Sequence, residues 1–348
     1  MHGVKRARVP PALDSAEVER KKQEKENKRI EDYKTLLVKL YQARAAKDYS
    51  TTCLEVSTQV LSLNPEFQTG WGIRRTILLN GILKDAEKAA QQQQLERDLH
   101  LTNQSLKQNP KNYSAWEHRK WVLETMPDAD WDMEMSMVDL YLKRDARNFH
   151  TWNYRRYLIS AMLSLPPATP EHTPKIKKLP TTTSELAFTR AKISESFSNF
   201  SAWHYRTKLL PRFWEEKGWG VESEERRAMI DEELELVKQA MWSDPNDQSA
   251  WIYHRWLVGK GSVPLAEREI AGIEELLEEE PDSRWCLESL VYYKTLLVSL
   301  LADDPASHSQ REKLNLESYG MLTKLQEVDP MRKARYVDLG SHLVPYRR

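Results

Sequence analysis

Two short polar stretches of the sequence each stand directly before a tryptophan and carry residue types that bind anions. Lys111-Asn112-Tyr113-Ser114-Ala115 precedes Trp116, and Arg147-Asn148-Phe149-His150-Thr151 precedes Trp152. If each stretch opens a helix, backbone N–H groups point outward beside a cation, which suits a phosphate or a diphosphate. A polar turn that is simply solvated has the same composition, so the residues alone leave both interpretations open.

No self-contained catalytic motif accompanies these stretches. The sequence has no Gly-x-x-x-x-Gly-Lys loop, no Gly-x-Ser-x-Gly and no His-Glu-x-x-His. Cys53 and Cys286 are too far apart in sequence to form a zinc motif. His118, His204 and His254 recur within a repeated unit, which indicates packing rather than metal ligation. The pattern is typical of one part of a larger assembly, with a basic, polar edge and no complete active site.

The elements that must position these stretches are helical repeats centred on tryptophan. A Trp-x-x-Arg or closely related pattern occurs five times, with a worn sixth copy, at Trp71, Trp116, Trp152, Trp203, Trp251 and Trp285. Successive tryptophans are 34 to 51 residues apart, and a shortest period near 35 is typical of stacked helix–turn–helix units. We therefore predict an all-α fold, a right-handed solenoid or crescent of stacked helical hairpins.

Each repeat position has a predicted structural role. The tryptophan is expected to fill the gap between neighbouring hairpins. The arginine three residues later shares its helix face and is expected to bind carbonyls at the end of a neighbouring helix. These arginines are Arg74, Arg119, Arg155 and Arg206. An Asn-Pro or Asp-Pro pair before three of the tryptophans is expected to end one helix and to place proline in the first turn of the next. A second helix follows each copy, for example over residues 131–143.

Composition excludes several classes of protein. Glycine accounts for only 11 of 348 residues, which disfavours turn-rich β folds and glycine-rich nucleotide-binding loops. Basic and acidic residues each number 52, so the net charge does not favour capture of nucleic acid. The sequence has no apolar run long enough to span a membrane and no apolar signal segment. Two distant cysteines suit a reducing compartment, so we expect a cytoplasmic protein.

We expect one helical-repeat domain over residues 1–348. Residues 1–15 are polar and are expected to form a flexible terminus, followed by a long helix that begins near Ala16. Residues 166–184 are rich in proline and threonine and lack helical periodicity, which predicts a loop inserted between the third and fourth copies.

Several strings of the sequence together resemble the protein prenyltransferase α-subunit repeat family. They are Met1-His2-Gly3, residues 145–156, residues 198–206, residues 244–257 and Val328-Asp329-Pro330-Met331-Arg332, and they span almost the whole chain. The five repeated copies, combined with Asp244-Pro245-Asn246-Asp247-Gln248-Ser249-Ala250-Trp251, make the resemblance specific. The strings are most similar to the type II geranylgeranyl branch of the family, which modifies Rab GTPases.

The resemblance implies the α subunit of an obligate αβ heterodimer, inactive alone and wrapped as a crescent around an α–α barrel β subunit. The β subunit would hold the catalytic zinc and most of the isoprenoid pocket, so this chain alone would bind no cofactor. The implied reaction transfers geranylgeranyl from geranylgeranyl diphosphate to C-terminal cysteines of Rab GTPases. A Rab escort protein would deliver the Rab protein, and the modification would serve vesicular transport.

The resemblance also assigns roles to residues of the second and third copies. Lys111 takes the place of the lysine that approaches the diphosphate, where it would offset charge on the leaving oxygen. Tyr113 and Ser114 stand at positions that border isoprenoid or acceptor-peptide contacts. Asn148 and His150 match polar residues that face the cleft, and we expect His150 on its diphosphate side.

Three further features bear on how far the resemblance extends. Phe149 stands where farnesyltransferase carries a tyrosine, so a hydroxyl role is absent there. The shared Met1-His2-Gly3 start implies that His2 is a possible accessory ligand to the β-subunit zinc. Larger animal relatives carry an immunoglobulin-like insert and a leucine-rich repeat tail. Only 34 residues separate the fifth and sixth tryptophans, so we expect no such domains here.

Two alternatives remain open. One is the α subunit shared by farnesyltransferase and the type I geranylgeranyltransferase, because substrate choice in this family depends mainly on the β subunit and the escort protein. The other is a non-catalytic scaffold of the tetratricopeptide type, which has a similar period. The Trp-x-x-Leu-Gly-x-x-Tyr pattern of that scaffold is absent, and the Trp-x-x-Arg pattern is present.

Overall fold

A computed structural model describes residues 15–165, 175–176 and 178–343. These residues form fifteen α-helices and contain no β-strand, so the predicted all-α class is confirmed. The helices are α1 (Ser15–Ala46), α2 (Thr51–Leu63), α3 (Gln68–Ile77), α4 (Lys88–Gln108), α5 (Tyr113–Thr125), α6 (Trp131–Arg144), α7 (Phe149–Leu163), α8 (Thr182–Glu195), α9 (Phe200–Lys217), α10 (Glu224–Ser243), α11 (Gln248–Val258), α12 (Val263–Glu279), α13 (Arg284–Leu300), α14 (His308–Val328) and α15 (Lys333–Ser341).

The chain divides into two compact units, the first ending at Leu179 and the second starting at Pro180. In the first unit α4 packs on α5 and α6 packs on α7, while α3, α5 and α7 contact one another in sequence. In the second unit the pairs are α8 with α9, α10 with α11 and α12 with α13, and α9, α11 and α13 form the corresponding row. Each unit is therefore a stack of hairpins, as a solenoid requires. The boundary between the two units falls within the segment 166–184, which the sequence predicts as an inserted loop.

The turn that precedes α5, the helix that carries Trp116, is built by two polar side chains. Asn109 accepts a hydrogen bond from the Lys111 N–H at 2.9 Å, and Asn112 caps α5 by accepting from the Ala115 N–H at 3.1 Å. Asn148, Asn199, Asp247 and Ser283 cap α7, α9, α11 and α13 in the same way. The sequence predicts proline in the first turn of the helix, but the structure places it before the helix begins. Pro110 lies three residues before α5 begins, because the capping residue must stand between them.

The repeated tryptophans are buried as predicted, with at most 3% of each side chain exposed. Each indole N–H donates to the carbonyl six residues earlier, at 2.7 to 3.0 Å. The acceptors are the carbonyls of Pro65, Pro110, Ala146, Phe197 and Pro245. The tryptophan therefore fills the core and also ties the preceding turn to its own helix.

In the sixth copy the tryptophan does not occupy the core position that the other tryptophans occupy. In the other capped copies the tryptophan is the fourth residue after the N-cap, as Trp251 is after Asp247. The fourth residue after the cap Ser283 is Leu287, which is 1% exposed. Trp285 is only half-buried and lies against the Arg284 guanidinium. Leucine thus replaces tryptophan at the last core position, and Trp285 is not its equivalent.

Three of the four repeated arginines, Arg74, Arg119 and Arg206, have stronger partners than helix-end carbonyls. Arg119 forms a two-pronged ion pair with Glu134 of α6 and also donates to the Leu99 carbonyl at 3.2 Å, in the middle of α4. Arg74 pairs with Asp98, and Arg206 pairs with Glu233, in the same manner. The predicted carbonyl contact exists, but it lies within a helix and is secondary to a buried carboxylate.

The remaining sequence predictions concern helix boundaries, membrane spans and cysteines. Helix α6 covers the predicted 131–143 segment and α1 begins at Ser15. Helix α8 begins at Thr182, within the segment predicted as a loop, because Thr181 and Ser184 form a reciprocal cap there. No helix in the described ranges is both long enough and apolar enough to cross a membrane. Each unit contains one cysteine, Cys53 in α2 and Cys286 in α13, and both are buried and unpaired.

Candidate functional site

The candidate site lies in the first unit, at the N-terminal ends of α5 and α7. Lys111 occupies the turn before α5 with an exposed side chain, directly ahead of the cap Asn112. Pro110 and Asn109 anchor this turn through the Trp116 indole and the Lys111 N–H. The Lys111 ammonium is therefore carried by a fixed backbone at the positive end of a helix, although its own stem is free to move.

Asn148 fixes this turn against the next repeat. Its amide nitrogen donates to the Pro110 carbonyl at 3.3 Å, and its amide oxygen accepts from the N–H groups of His150 at 3.0 Å and Thr151 at 3.3 Å. The side chain is 3% exposed. The structure thus gives Asn148 a place beneath the edge, where it joins two turns, rather than a place on the surface.

An aromatic cluster surrounds His150. The ring centroid of His150 lies 4.2 Å from that of Tyr113 and 4.0 Å from that of Phe149. Tyr113 and Phe149 are 66% and 53% exposed, whereas His150 is 6% exposed. Large apolar side chains with this exposure at a helix end are typical of a surface that binds an apolar partner or ligand.

The surroundings of His150 favour its neutral form. Burial lowers the pKa of the imidazole, and the nearby Lys111 ammonium lowers that pKa further. At neutral pH the edge therefore presents one lysine cation beside an uncharged imidazole that can donate or accept a hydrogen bond.

Two of the five predicted site residues, Tyr113 and His150, are in contact in the first unit, and Lys111 lies in the turn two residues before Tyr113. Ser114 lies half-buried in the first turn of α5, next to Tyr113. Asn148 is buried and donates a hydrogen bond to the Pro110 carbonyl, in the turn that carries Lys111. His2, the predicted accessory zinc ligand, lies outside the described residues.

A buried carboxylate sets the spacing of the two helices that carry the site. Glu134 of α6 binds Arg119 of α5 at 2.8 Å and accepts from the Tyr154 hydroxyl of α7 at 2.7 Å. Asp98 likewise joins Arg74 to His118, and Glu233 joins Arg206 to Tyr253. Sequence reasoning missed these acids. The available signal was a tyrosine or histidine two positions after four of the five repeated tryptophans, a residue type that needs a buried acceptor.

The described residues hold no group of three His, Cys, Asp or Glu side chains that could bind a metal ion. Two of the repeat histidines are committed to structural partners. His118 is hydrogen-bonded to Asp98, and His254 lies between Tyr293 and Glu269 at 2.7 and 2.8 Å. His204 is exposed. His118 and His254 therefore serve packing, as the sequence predicts.

The stacked hairpins define an α-helical repeat protein. The model of the protein prenyltransferase alpha subunit repeat matches residues 95–126, 131–162, 182–213 and 230–261. These segments correspond to the pairs α4–α5, α6–α7, α8–α9 and α10–α11. The chain belongs to the protein prenyltransferase α-subunit family.

Individual proteins similar to this chain include two type II α subunits and one solved structure. The chain is 34% identical to geranylgeranyl transferase type-2 subunit alpha of Schizosaccharomyces pombe, over 97% of this chain and 96% of that protein. It is 37% identical to the Sus scrofa protein of the same name over 77% of this chain, but it covers only 43% of that longer protein. Its fold matches a chain of Candida albicans protein geranylgeranyltransferase-I complexed with GGPP, with a TM-score of 0.62, 22% identity and coverage of 90% and 91% of the two chains.

Proposed function

We propose that this chain is the α subunit of a type II protein geranylgeranyltransferase. The enzyme transfers geranylgeranyl from geranylgeranyl diphosphate to C-terminal cysteines of Rab GTPases. The observation that carries the proposal is the full-length similarity to a relative named geranylgeranyl transferase type-2 subunit alpha. The edge formed by Lys111, Tyr113 and His150 suits such a substrate, because it places a cation next to exposed aromatic rings.

In the proposed reaction the cysteine thiolate attacks C1 of the isoprenoid and the diphosphate leaves. Negative charge grows on the bridging oxygen as the bond between carbon and oxygen breaks. A lysine ammonium near that oxygen stabilises the transition state more than the bound substrate. The neutral His150 can donate a hydrogen bond to the same group, and Tyr113 and Phe149 offer apolar surface to the prenyl chain or the acceptor peptide.

The partner would be a prenyltransferase β subunit that supplies the zinc and most of the isoprenoid pocket, in a cytoplasmic heterodimer. A Rab escort protein would deliver the Rab acceptor. The absence of a metal group among the described residues is compatible with this division of labour. Asn148 would contribute indirectly, since its hydrogen bond to Pro110 positions the turn that carries Lys111.

Co-expression with individual β subunits tests the proposal. We expect a stable complex with a type II β subunit, and transfer of geranylgeranyl to a Rab protein only when the escort protein is present. The controls are the β subunits of farnesyltransferase and of the type I enzyme, each assayed with a CaaX peptide. Transfer to the CaaX peptide with either control β subunit, and none to the Rab protein, would favour the shared α subunit instead.

A further inference from the structure

The second unit contains a cavity of about 1030 Å³ that is open to solvent. It is bordered by the C-terminal ends of α9 and α11 and by the N-terminal ends of α10 and α12. Its wall includes three tryptophans, Trp214, Trp219 and Trp256. A cavity of this size can hold a nucleotide-sized ligand. None of its lining residues belongs to the edge at α5 and α7, so it is a separate candidate site.

Two of these tryptophans form a flat aromatic wall. The ring planes of Trp214 and Trp256 are within 6° of parallel, and their centroids are 6.4 Å apart. Trp214 is 6% exposed, and among the described residues its indole nitrogen has no hydrogen-bond partner. The five repeated core tryptophans, by contrast, all donate to a carbonyl. A buried donor that lacks an acceptor, in the wall of a cavity, favours a ligand that brings acceptor atoms.

Arg226 adds a second donor of the same kind. Its guanidinium carbon lies 4.1 Å from the centroid of the Trp214 ring, and its Nε is buried without a partner in the described part of the chain. Within that part, Arg226 also forms no ion pair with a carboxylate. The other two arginines of the cavity are paired, Arg227 with Glu222 and Arg268 with Asp231. Arg226 is therefore the arginine of this cavity that is available to an anion.

The turn between α11 and α12 brings a second available cation to the cavity. The turn reads Gly259-Lys260-Gly261-Ser262, and all four residues line the cavity. Both glycines have a positive φ, 55° and 64°, which other residues rarely adopt. Lys260 is exposed and forms no ion pair across the described ranges. Ser262 caps α12, a helix of 17 residues, so Lys260 stands at the positive end of a helix, where phosphates bind.

We propose that this cavity binds a nucleoside monophosphate. The base packs against the faces of Trp214 and Trp256, as bases stack on aromatic side chains elsewhere. The phosphate lies between Arg226 and Lys260, whose charges it offsets. Among the described residues, the lining sets these two unpaired cations against one unpaired carboxylate, Glu215, so the balance favours an anion. The proposal concerns the second unit and does not depend on the proposed transferase function.

The test uses the full chain and ligands that carry one or both parts of this chemistry. Binding of adenosine monophosphate, guanosine monophosphate, adenosine and inorganic phosphate is measured by isothermal titration calorimetry. We expect one nucleotide to bind per chain, about tenfold more tightly than adenosine or phosphate alone. Stacking of the base and ion pairing of the phosphate each contribute about that order of affinity.

Three variants each remove one group from the cavity. R226Q and K260Q each remove a charge, and W214F keeps an aromatic ring but removes the indole N–H. Each should weaken binding of adenosine monophosphate about tenfold, and R226Q and K260Q should leave adenosine binding unchanged. The matched controls are R190Q in α8 and K208Q in α9, which remove exposed cations outside the cavity and should bind as the wild type does.

Several results would overturn the proposal. Nucleotides that bind no more tightly than adenosine or phosphate would show that the cavity does not recognise the combination. Wild-type affinity in both R226Q and K260Q, or an equal loss in the two controls, would exclude a specific phosphate site. Tighter binding of 2-naphthoate, a flat ring with a carboxylate, would contradict the choice of a phosphate. None of these results bears on the transferase proposal, because its candidate edge lies in the first unit.

Discussion

The Lys111 ammonium is held at the edge by its backbone rather than by ion pairing. The turn around it is fixed by Asn109, Asn112 and Trp116, and the side chain itself is exposed. Removing that side chain should therefore leave the fold intact and affect only what binds there. A charge carried in this way can act on a substrate without first being detached from a partner.

We predict that K111A in the assembled heterodimer slows transfer by about 100-fold, which is typical for loss of one group that stabilises developing charge. K111R should recover only part of the rate, because a planar fork places its charge differently from a compact ammonium. Single-turnover transfer at saturating prenyl diphosphate measures the effect. Equal rates for K111A and wild type would contradict this role and would indicate that Lys111 is simply a solvated residue of the turn.

His118 makes the stability of the first unit depend on pH. Burial lowers the pKa of its imidazole, more than the hydrogen bond to Asp98 raises it. The pKa of Asp98 is itself lowered, to about 2, so that carboxylate stays ionised at pH 5. As the pH falls below about 6.5, the unfolded chain takes up a proton at this histidine more readily than the folded chain does. The stabilising contribution of neutral His118 is full above that pH and is lost on acidification.

We expect the free energy of unfolding to fall between pH 7 and pH 5, and H118Q to reduce that fall by about 1 kcal/mol. Glutamine can still donate to Asp98 but does not titrate. Urea unfolding of the wild type and the variant at both pH values measures the difference. Burial also lowers the pKa of His150, which contributes in the same direction, so H150Q is the parallel control. An undiminished pH dependence in H118Q would contradict the assignment.

At the scale of the helices, one buried acid joins three elements in three of the repeats. Glu134 contacts α5 through Arg119 and α7 through Tyr154, so it determines how the two site-bearing helices sit relative to each other. E134Q keeps the shape of the side chain but leaves the Arg119 charge uncompensated, which should cost about 3–5 kcal/mol. D139N, which affects an ion pair with a 59% exposed carboxylate, should cost less than about 1 kcal/mol. Both variants are compared by urea unfolding. Similar losses of unfolding free energy in E134Q and D139N would show that burial of the carboxylate does not determine the cost.

The register of the sixth copy gives a second prediction at this scale. Trp116 is 3% exposed and its indole N–H is bonded to the preceding turn, so W116A should cost about 3–5 kcal/mol. Trp285 is half-buried and replaced by Leu287 at the core position, so W285A should cost much less. Comparable shifts of the unfolding midpoint in the two variants would mean that Trp285 is part of the core after all.

The sequence predicts the repeated tryptophans and the helices around them because their spacing reflects a local requirement. The burial of Trp116 follows from residue type and position alone. The acids do not, since Asp98, Glu134 and Glu233 stand at different distances from their arginines and only folding brings them together. For the same reason the sequence predicts Lys111 and His150 as polar site residues but does not show that Asn148 lies beneath them.

At the scale of the whole molecule, the chain carries a candidate binding edge, and its described residues include no group that could hold a metal ion. We predict that the purified chain alone binds no stoichiometric zinc and has no transferase activity, because no suitable ligand cluster occurs within those ranges. Metal analysis of the single chain and of the heterodimer, together with transfer assays on both, checks this. One zinc ion bound tightly to the chain alone would be the contrary result.

The two buried cysteines allow the units to be followed separately. Cys53 lies in α2 of the first unit and Cys286 in α13 of the second, and burial raises the pKa of both thiols. A thiol reacts only as an accessible thiolate, so each must wait for its helix to open. Labelling kinetics followed by peptide mass analysis would therefore report two opening equilibria in one unmodified chain, and would reveal which unit a binding partner protects.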